Sequence, residues 1–363
     1  GEAGRIALEK LHDDADFEDI SEGKDGKRNS EITVTMASEI TPENINWFWK
    51  GRLAEGKGTM LTGLPGMGKS QLSLNIAATI SKGGRWPDGT RAPKGTVLIL
   101  ASEDAANDTM VPRIIAAGGN REKIGFIQQT VGRKGKRRIL TLKEDLERLA
   151  QAIRKFGDAK LVIIDPITGY MGNGVDSHKA TDVRAVLSGV SEWAQDLGIA
   201  VLAITHPAKS VTSAMNAMVG SQAYVAFFRM NFIAGEHPDD ADLHEDKRRR
   251  VFSKVKGNNG KHVESFSYTI ESVTVEGDIE SSRIVWGEEV AVRADDLVSS
   301  EPKKSKKSDE AKEFLKSQWD FDPDEQVAVT KLQSLARDKG IAWRTIERAK
   351  EKLPIMPKKI DGK

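Results

Sequence analysis

The sequence predicts an α/β fold with an open parallel sheet, followed by a small helical domain. Three observations lead to this prediction. A glycine-rich turn at 63–70 lies between a short apolar run and a helical pattern. Continuous apolar runs at 95–101, 161–164 and 199–205 have the length of buried parallel strands, and each precedes a polar residue. Helical patterns follow a lysine-rich linker from residue 309 onward.

The glycine-rich turn fits the phosphate-loop pattern G-x-x-x-x-G-K-[ST] without a mismatch. A strand, a glycine turn and a helix N-terminus direct several backbone N–H groups toward one anion. We therefore expect Lys69 to contact the β- and γ-phosphates of ATP, and the Ser70 hydroxyl to bind Mg²⁺. The predicted nucleotide-binding residues are Gly63, Leu64, Pro65, Gly66, Met67, Gly68, Lys69, Ser70 and Gln71.

Carboxylates follow two of the predicted strands. Asp165 ends the run at 161–165, and together with the phosphate loop this position predicts a residue that holds Mg²⁺ beside Ser70, through water. Glu103 and Asp104 follow the run at 95–101, where strand ends line the ligand crevice of an open parallel sheet. We predict that Glu103 polarises the attacking water. Asp104 is the competing candidate, and either carboxylate has helix capping as its alternative role.

Three further features each have two interpretations. The aromatic run at 47–49 is interpreted as a hydrophobic plug at the edge of the core, with a wall for the nucleotide base as the alternative. The basic run at 132–138 is interpreted as a solvated loop, and the alternative is contact with a phosphate backbone. His206, after the strand at 199–205, either contacts the γ-phosphate or is structural.

The rest of the large domain has a less regular pattern. Residues 105–155 are predicted to be mostly helical, with a strand-like break at 124–127, and a later helix is expected to end at Gly198. On a regular strand Lys254 and Lys256 share one face. Further strands are predicted at 224–234, 250–256, 266–270 and 283–286.

Three short predicted helices, with a turn at Gly340 before the last, favour a small winged-helix or helix-turn-helix-like domain. Basic residues such as Arg344, Arg348 and Lys350 make its last part a candidate for duplex DNA binding, with an ordinary interaction domain as the alternative. The predicted organisation is a flexible lead-in at 1–40, an ATPase domain at 41–297, a linker at 298–308 and this helical domain at 309–363.

Composition limits the possible functions. The 363 residues carry a net charge of +1, so any nucleic-acid surface requires local clustering of basic residues. The absence of cysteine excludes disulfides, thiolate metal sites and cysteine nucleophiles, and is compatible with the cytoplasm. No signal peptide or membrane-length apolar run occurs, so we expect a cytoplasmic protein without a membrane partner. Residue 1 is Gly rather than Met, which is compatible with a segment of a longer protein.

Six short segments together carry a family resemblance. In chain order they are 46–49, 63–70, 101–104, 164–166, 204–207 and 255–260. They resemble the plasmid RepA-type hexameric helicase branch of the RecA-like P-loop ATPases, over roughly residues 40–290. The C-terminal module resembles a small helical domain often appended to such proteins in phages and mobile elements.

The resemblance implies a RecA-like fold, a twisted and mostly parallel sheet sandwiched by helices. It also implies a homo-oligomeric ring, commonly a hexamer, with ATP at the subunit interfaces. Asp165 would organise the metal, Glu103 would activate water and His206 would sense the γ-phosphate. The candidates for a basic residue acting in trans are Lys254, Lys256 and Arg229.

The resemblance further implies that a loop at 208–219 faces a central channel and grips single-stranded DNA. This loop departs from the usual pattern, because Lys209 is its one charged residue and it has no aromatic residue for base stacking. We expect an ATP-hydrolysing motor on single-stranded DNA, a ring-shaped replicative helicase or translocase of a phage, plasmid or other mobile element. The alternatives are an ATP-controlled DNA-binding regulator or initiator without unwinding activity, and a signalling or recombination ATPase of the same fold.

Overall fold

The structure of the chain is a computed structural model. It describes residues 34–127, 130–131, 137–176, 179–207, 214, 224, 227–241, 243–257, 264–298, 306–318, 328–350 and 353. The chain divides into two units, Gly1–Asn44 and Ile45–Lys363. In the first unit, the described residues contain one short 3₁₀ turn at Ala37–Glu39.

The second unit contains all the described strands. A nine-stranded sheet has the order β13-β12-β11-β10-β3-β9-β8-β4-β5, and two small two-stranded sheets pair β1 with β2 and β6 with β7. The strands are β1 Trp47–Trp49, β2 Leu53–Ala54, β3 Gly58–Gly63, β4 Thr96–Ala101, β5 Ile124–Phe126, β6 Thr130–Val131, β7 Arg137–Arg138, β8 Ala159–Asp165, β9 Ala200–Ile204, β10 Met230–Glu236, β11 Arg250–Gly257, β12 Ser265–Val275 and β13 Ile279–Val290.

Helices connect the parallel strands and continue beyond the sheet. The described α-helices are α1 Lys69–Lys82, α2 Val111–Ala116, α3 Leu142–Arg154, α4 Ala180–Leu197, α5 Lys306–Ser317, α6 Val329–Asp338 and α7 Trp343–Lys350. A π-helical turn at Ala106–Met110 leads directly into α2. Short 3₁₀ turns occupy Arg121–Lys123, Ile167–Tyr170, Pro238–Asp240, Glu245–Lys247 and Ala294–Leu297.

The central part of the large sheet is parallel, and this confirms the predicted fold class. Strands β10, β3, β9, β8, β4 and β5 pair in parallel, while β11, β12 and β13 extend the sheet with antiparallel pairs. Successive side chains of a strand point to opposite faces of the sheet, and helices cover both faces, as the neighbours of β4 show. Val97 and Ile99 pack in the cluster that contains residues of α1, whereas Leu98 and Leu100 pack with residues of α3 and α4.

Glycines set the ends of the helices that flank the site. Gly68 lies at the N-terminus of α1 with φ 77°, and Gly83 at its C-terminus has φ 66° and donates its N–H to the Ile80 carbonyl. The predicted end of the later helix at Gly198 is confirmed, since this residue has φ 62° and caps α4. The left-handed conformation costs glycine little because it lacks a Cβ.

The aromatic run at 47–49 forms β1, and the plug interpretation is confirmed for Phe48 and Trp49, which are 5% and 1% exposed. The Trp49 ring stacks on Trp86 with a centroid distance of 4.6 Å. Its indole nitrogen donates to Asp88 over 2.9 Å. The buried guanidinium of Arg52 lies 4.8 Å from the same ring. These contacts fasten β1 to the core.

The structure confirms one prediction of secondary structure in the large domain and corrects another. Most of the described residues in 105–155 are helical, and strand β5 confirms the predicted break at 124–127, while the small sheet of β6 and β7 adds a second interruption before α3. The predicted strand at 224–234 begins six residues late, at Met230, whereas Tyr224 and Phe227 are helical. The Phe228 N–H donates to the Tyr224 carbonyl over 2.9 Å, which is the spacing of a helical turn.

Two further expectations change at the ends of elements. A bulge interrupts the predicted shared face of Lys254 and Lys256, because Lys254 pairs with Phe232 and Lys256 with Asn231. Helix α5 begins at Lys306, inside the predicted linker at 298–308. Several predictions fall on residues outside the described ones: most of the lead-in at 1–40, most of the basic run at 132–138, nearly all of the loop at 208–219, the second half of the segment at 255–260 and the Lys256 and Arg348 side chains.

Helices α5, α6 and α7 share a hydrophobic cluster of their own. Phe314 and Leu315 of α5, Leu332 of α6 and Ile346 of α7 are buried in it. Ala349 of α7 is also buried in this cluster, and Leu353 packs against it. In the described part of the chain, no helix combines the length and the apolar character required to cross a membrane.

Candidate nucleotide-binding site

The phosphate loop at 63–70 begins at Gly63, the last residue of β3, and its final two residues, Lys69 and Ser70, already belong to α1. A side chain at Gly63 is excluded, because a Cβ there would lie 2.4 Å from the Ala234 carbonyl oxygen of the neighbouring strand β10. Gly66 has φ 81°, and a Cβ built there would meet open space, so its backbone conformation and not a lack of room favours glycine. The first N–H groups of α1 have no partner within the helix, and the loop therefore fits an anionic phosphate group.

Lys69 begins α1, and its side chain turns back over the loop. The residue is 6% exposed, and its Nζ donates to the Leu64 carbonyl over 3.1 Å. Burial lowers the pKa of Lys69, while the negative charges of Asp165 and Glu103 oppose this shift. Lys69 is thus a buried cation at the phosphate loop, held close to two carboxylates.

Ser70 and Asp165 lie together, as predicted. Asp165 ends β8 in register with Ala101 of β4, and the Ser70 side chain hydrogen-bonds to its carboxyl group. Burial raises the pKa of Asp165 to about 6. The Ser70 hydrogen bond and Lys69 act against this rise, whereas Glu103 adds to it.

The chemistry of this pair fits Mg²⁺. A hydroxyl and a carboxylate side by side are ligands that Mg²⁺ accepts, and the cation usually keeps several waters and substrate phosphate oxygens as its other ligands. Ser70, Glu103, Asp104 and Asp165 line one small pocket, so negative charge gathers where a cation would reduce the repulsion. Among the described residues, no group of three or more His, Asp or Glu side chains is arranged to hold a metal ion.

Different contacts distinguish the two carboxylates after β4. Asp104 accepts a hydrogen bond from the Arg113 guanidinium over 3.0 Å, which engages it in an ion pair with α2. Glu103 lies with its Oε2 3.5 Å from His206 Nε2, and these two side chains are 59% and 46% exposed. Neither carboxylate caps the helical turn that follows, because its N-cap is Ala105 and has no side-chain hydrogen bond.

His206 reaches this group because β9 lies next to β3 and β8 in the sheet. Leu61 of β3 is in register with Ile204 of β9, and the Thr205 N–H donates to the Leu61 carbonyl over 3.0 Å. His206 is therefore at the same edge of the sheet as the phosphate loop. The structure thus brings Lys69, Ser70, Glu103, Asp165 and His206 together at the carboxyl ends of neighbouring parallel strands.

The three candidates for a trans residue are not part of this group. Arg229 is exposed and precedes β10, whose Met230 pairs with Thr59 near the beginning of β3, the end away from the phosphate loop. Lys254 and Lys256 lie on β11, which pairs with β10 and not with β3. Burial lowers the pKa of Lys254, and the positive charge of Arg52 acts in the same direction.

The sequence-based prediction missed the residues that contact the phosphate loop from the antiparallel strands. The Tyr268 hydroxyl of β12 donates to the Met67 carbonyl over 2.6 Å. The Gln71 side chain, predicted to bind nucleotide, donates its amide to the Ser282 hydroxyl of β13. Tyr268 is 201 residues from Met67 in the chain, and no local pattern in the sequence signals this contact.

Comparison with known proteins places the chain in a family. A solved structure that resembles it is the ATPase domain of another protein, with 14% sequence identity, a TM-score of 0.43, and coverage of 59% of this chain and 81% of that one. A search of curated proteins gave no significant match. The sequence model of the family described as AAA domain matches residues 27–211, which is just over half of the chain and includes the whole group from the phosphate loop to His206. The chain therefore belongs to the AAA-domain family and is a P-loop ATPase.

Proposed function

We propose that this protein is an ATP-hydrolysing RecA-like motor of the RepA-type branch that acts on single-stranded DNA. It would be a ring-shaped replicative helicase or translocase of a phage, plasmid or other mobile element. The observation that carries the proposal is the convergence of Lys69, Ser70, Glu103, Asp165 and His206 at one edge of the sheet. These residue types are the ones that hydrolysis of a nucleoside triphosphate requires.

In this proposal, the loop N–H groups and the Lys69 ammonium bind the β- and γ-phosphates. Ser70 and Asp165 hold Mg²⁺, which neutralises charge on the phosphate oxygens when bound. Glu103 accepts a hydrogen bond from a water molecule and orients it for in-line attack on the γ-phosphorus. Asp104 is less suited to this role, because its carboxylate is engaged by Arg113.

His206 is the proposed sensor of the γ-phosphate. Its Nε2 is 3.5 Å from the Glu103 carboxylate, and it precedes the segment at 208–219 by two residues. A change in the contacts of Glu103 on hydrolysis would therefore reach His206 directly. We propose that this segment lines a channel and moves single-stranded DNA, as the resemblance to hexameric ATPases implies.

A ring also gives the distant basic residues a role. Arg229, Lys254 and Lys256 lie away from the phosphate loop of their own chain. One of them would complete the site of a neighbouring subunit by stabilising negative charge in the transition state. The proposed partners are thus other copies of this chain in a closed ring, commonly a hexamer in the branch that the chain resembles.

A second candidate function is an ATP-controlled DNA-binding regulator or initiator. The hydrophobic cluster shared by α5, α6 and α7 favours it, because helix-turn-helix folds are built from such short packed helices. Arg344 and Lys350 add positive charge to α7. In this alternative the helices bind duplex DNA, and ATP controls assembly only.

The test is ATP hydrolysis by the full chain with and without single-stranded DNA, with the same sample sized by light scattering. The motor predicts strong stimulation by single strands and a particle of ring size. A slow ATPase that ignores DNA and remains monomeric would contradict the motor and favour the regulator. A Lys69→Ala sample is the control, because its residual activity measures contaminating ATPases.

A further inference from the structure

The hairpin of β12 and β13 contacts the phosphate loop at its glycine turn. Tyr268 is 1% exposed, and its hydroxyl donates to the Met67 carbonyl over 2.6 Å. Burial raises the pKa of Tyr268 above its usual range, so the hydroxyl keeps its proton and remains a donor. The Tyr268 ring is held at the edge of the Trp286 ring, with a centroid distance of 5.8 Å.

This hydrogen bond fixes the orientation of one peptide group. In a trans peptide the C=O and the following N–H point in opposite directions. When the Met67 carbonyl points to Tyr268, the Gly68 N–H therefore points away from the hairpin. Gly68 has φ 77° and, as a glycine, has a wider choice of backbone conformations than any other residue type. A hydrogen bond from outside the loop, donated by Tyr268, therefore selects one orientation of the Met67–Gly68 peptide group.

Three other contacts hold the hairpin against the same region. The Ile270 side chain fills the space beside Gly68, where a Cβ would lie 2.6 Å from Ile270 Cδ1. Gln71 of α1 donates to Ser282, and the Trp286 indole nitrogen donates to Asn75 of α1 over 2.9 Å. Tyr268 is therefore anchored to the first turns of the helix that it faces, and its hydroxyl has a defined position.

We propose that Tyr268 is a positioning residue for nucleotide binding, which keeps the Gly68 N–H directed at the phosphate site through the Met67 carbonyl. The inference rests on the proposed binding of ATP at the loop, but not on hydrolysis. A backbone donor that contacts phosphate before and during reaction contributes equally to ground-state and transition-state binding. Loss of the Tyr268 hydroxyl is therefore expected to weaken ATP binding and to leave kcat nearly unchanged.

The test compares Tyr268→Phe with Tyr224→Phe in the full chain. Both tyrosines are buried, at 1% and 0% exposure, and both variants lose a single hydroxyl. The Tyr224 hydroxyl has no hydrogen-bond partner among the residues that the structure describes, so it is the matched control. The measurements are equilibrium binding of a fluorescent ATP analogue with Mg²⁺, KM and kcat for ATP, and the thermal unfolding midpoint without nucleotide.

We expect Tyr268→Phe to raise the Kd and KM by about five- to tenfold, the contribution of one hydrogen bond, with kcat within about twofold of wild type. Tyr224→Phe is expected to bind like wild type. Unchanged binding by Tyr268→Phe overturns the proposal, and so does an equal loss in both variants. If wild type binds ATP but does not hydrolyse it, the proposed function fails while the binding comparison still decides the role of Tyr268.

A second variant covers the case in which Tyr268→Phe does not fold. Ile270→Val removes the Cδ1 atom beside Gly68 from a side chain that is only partly buried. It loosens the same contact surface without touching the hydrogen bond. A rise of about two- to threefold in the Kd of the ATP analogue, with kcat retained, supports positioning of the loop by the hairpin. Binding equal to that of wild type contradicts it.

Discussion

Single side chains in the site are expected to act at different stages of the reaction. Glu103→Gln keeps the shape and removes the charge that orients water, so we expect turnover to fall by about 10²- to 10⁴-fold while ATP binding is retained.

Lys69→Ala removes the cation at the loop, and we expect it to abolish turnover and to weaken binding as well. The measurements are phosphate release and equilibrium binding of a fluorescent ATP analogue.

Asp104→Asn is the matched control for Glu103, since the two carboxylates are adjacent and both follow the end of β4. We expect the Asp104 variant to keep most of its activity, because Arg113 already engages this carboxylate. If Asp104→Asn loses turnover and Glu103→Gln retains it, the assignment of the two roles must be exchanged.

A buried carboxylate that does not belong to the group at the phosphate loop is expected to control acid stability. Asp145 has a fully buried side chain that accepts hydrogen bonds from Arg138, Arg148 and the Thr141 N–H. Burial alone would raise the pKa of Asp145, but these hydrogen bonds outweigh it and the pKa is lowered. A carboxyl group with a lowered pKa stabilises the folded state at pH values above its pKa in the unfolded chain, which is about 3.9. This contribution is lost as the pH falls through the pKa in the folded state.

We therefore expect Asp145→Asn to lower the free energy of unfolding by about 2 kcal/mol at neutral pH. The difference from wild type should shrink below about pH 4, where the carboxylate becomes protonated. Urea unfolding at several pH values measures this difference. Glu147→Gln on the same helix is the control, because Glu147 is 73% exposed and its loss should change little. A constant difference at all pH values would contradict the role of the charge.

Among the elements, β1 is only three residues long, but it carries the ring at the centre of an aromatic cluster. Trp49 contacts Trp86 directly and lies within 6.4 Å of the Phe252, Phe266 and Trp286 rings. Trp49→Ala removes the ring at the centre of this cluster, and we expect a loss of about 3–5 kcal/mol in the free energy of unfolding. Chemical denaturation is the measurement. Trp47→Ala, at a partly buried position of the same strand, should cost less, and equal losses would show that the cluster is not centred on Trp49.

The elements also show where sequence patterns are sufficient. Strands β4, β8 and β9 were predictable because each forms most of a continuous apolar run that leads to a polar residue, as β8 ends at Asp165. The strand predicted to begin at Tyr224 was wrong because a short apolar run fits the period of a helix as well as that of a strand. Tyr224 and Phe228 are four residues apart and both buried, which is the spacing of a helix.

On the scale of the whole molecule, the sequence predicted the parts of the site that lie on a local motif. Lys69, Ser70, Asp165 and His206 each follow a recognisable strand, so the sheet topology brings them together. Tyr268 and Ser282 were not predictable, because they reach the loop only when the antiparallel strands extend the sheet. Such long-range contacts depend on strand order, and the local sequence does not contain that information.

The last prediction separates the two proposed functions through DNA binding by the full chain. In a motor, Glu103→Gln should trap the ATP-bound state, so single-stranded DNA is held at least as tightly as by wild type while unwinding is lost. In a regulator, the same variant should retain sequence-specific binding to a duplex site, because ATP controls only assembly.

Binding is measured by fluorescence anisotropy with single-stranded and duplex probes, with and without ATP. The measurement is repeated over a range of salt concentrations because phosphate contacts are salt-dependent. Lys69→Ala is the control for both, since it removes the response to ATP. ATP-dependent retention of single strands contradicts the regulator, whereas ATP-independent selection of one duplex sequence contradicts the motor.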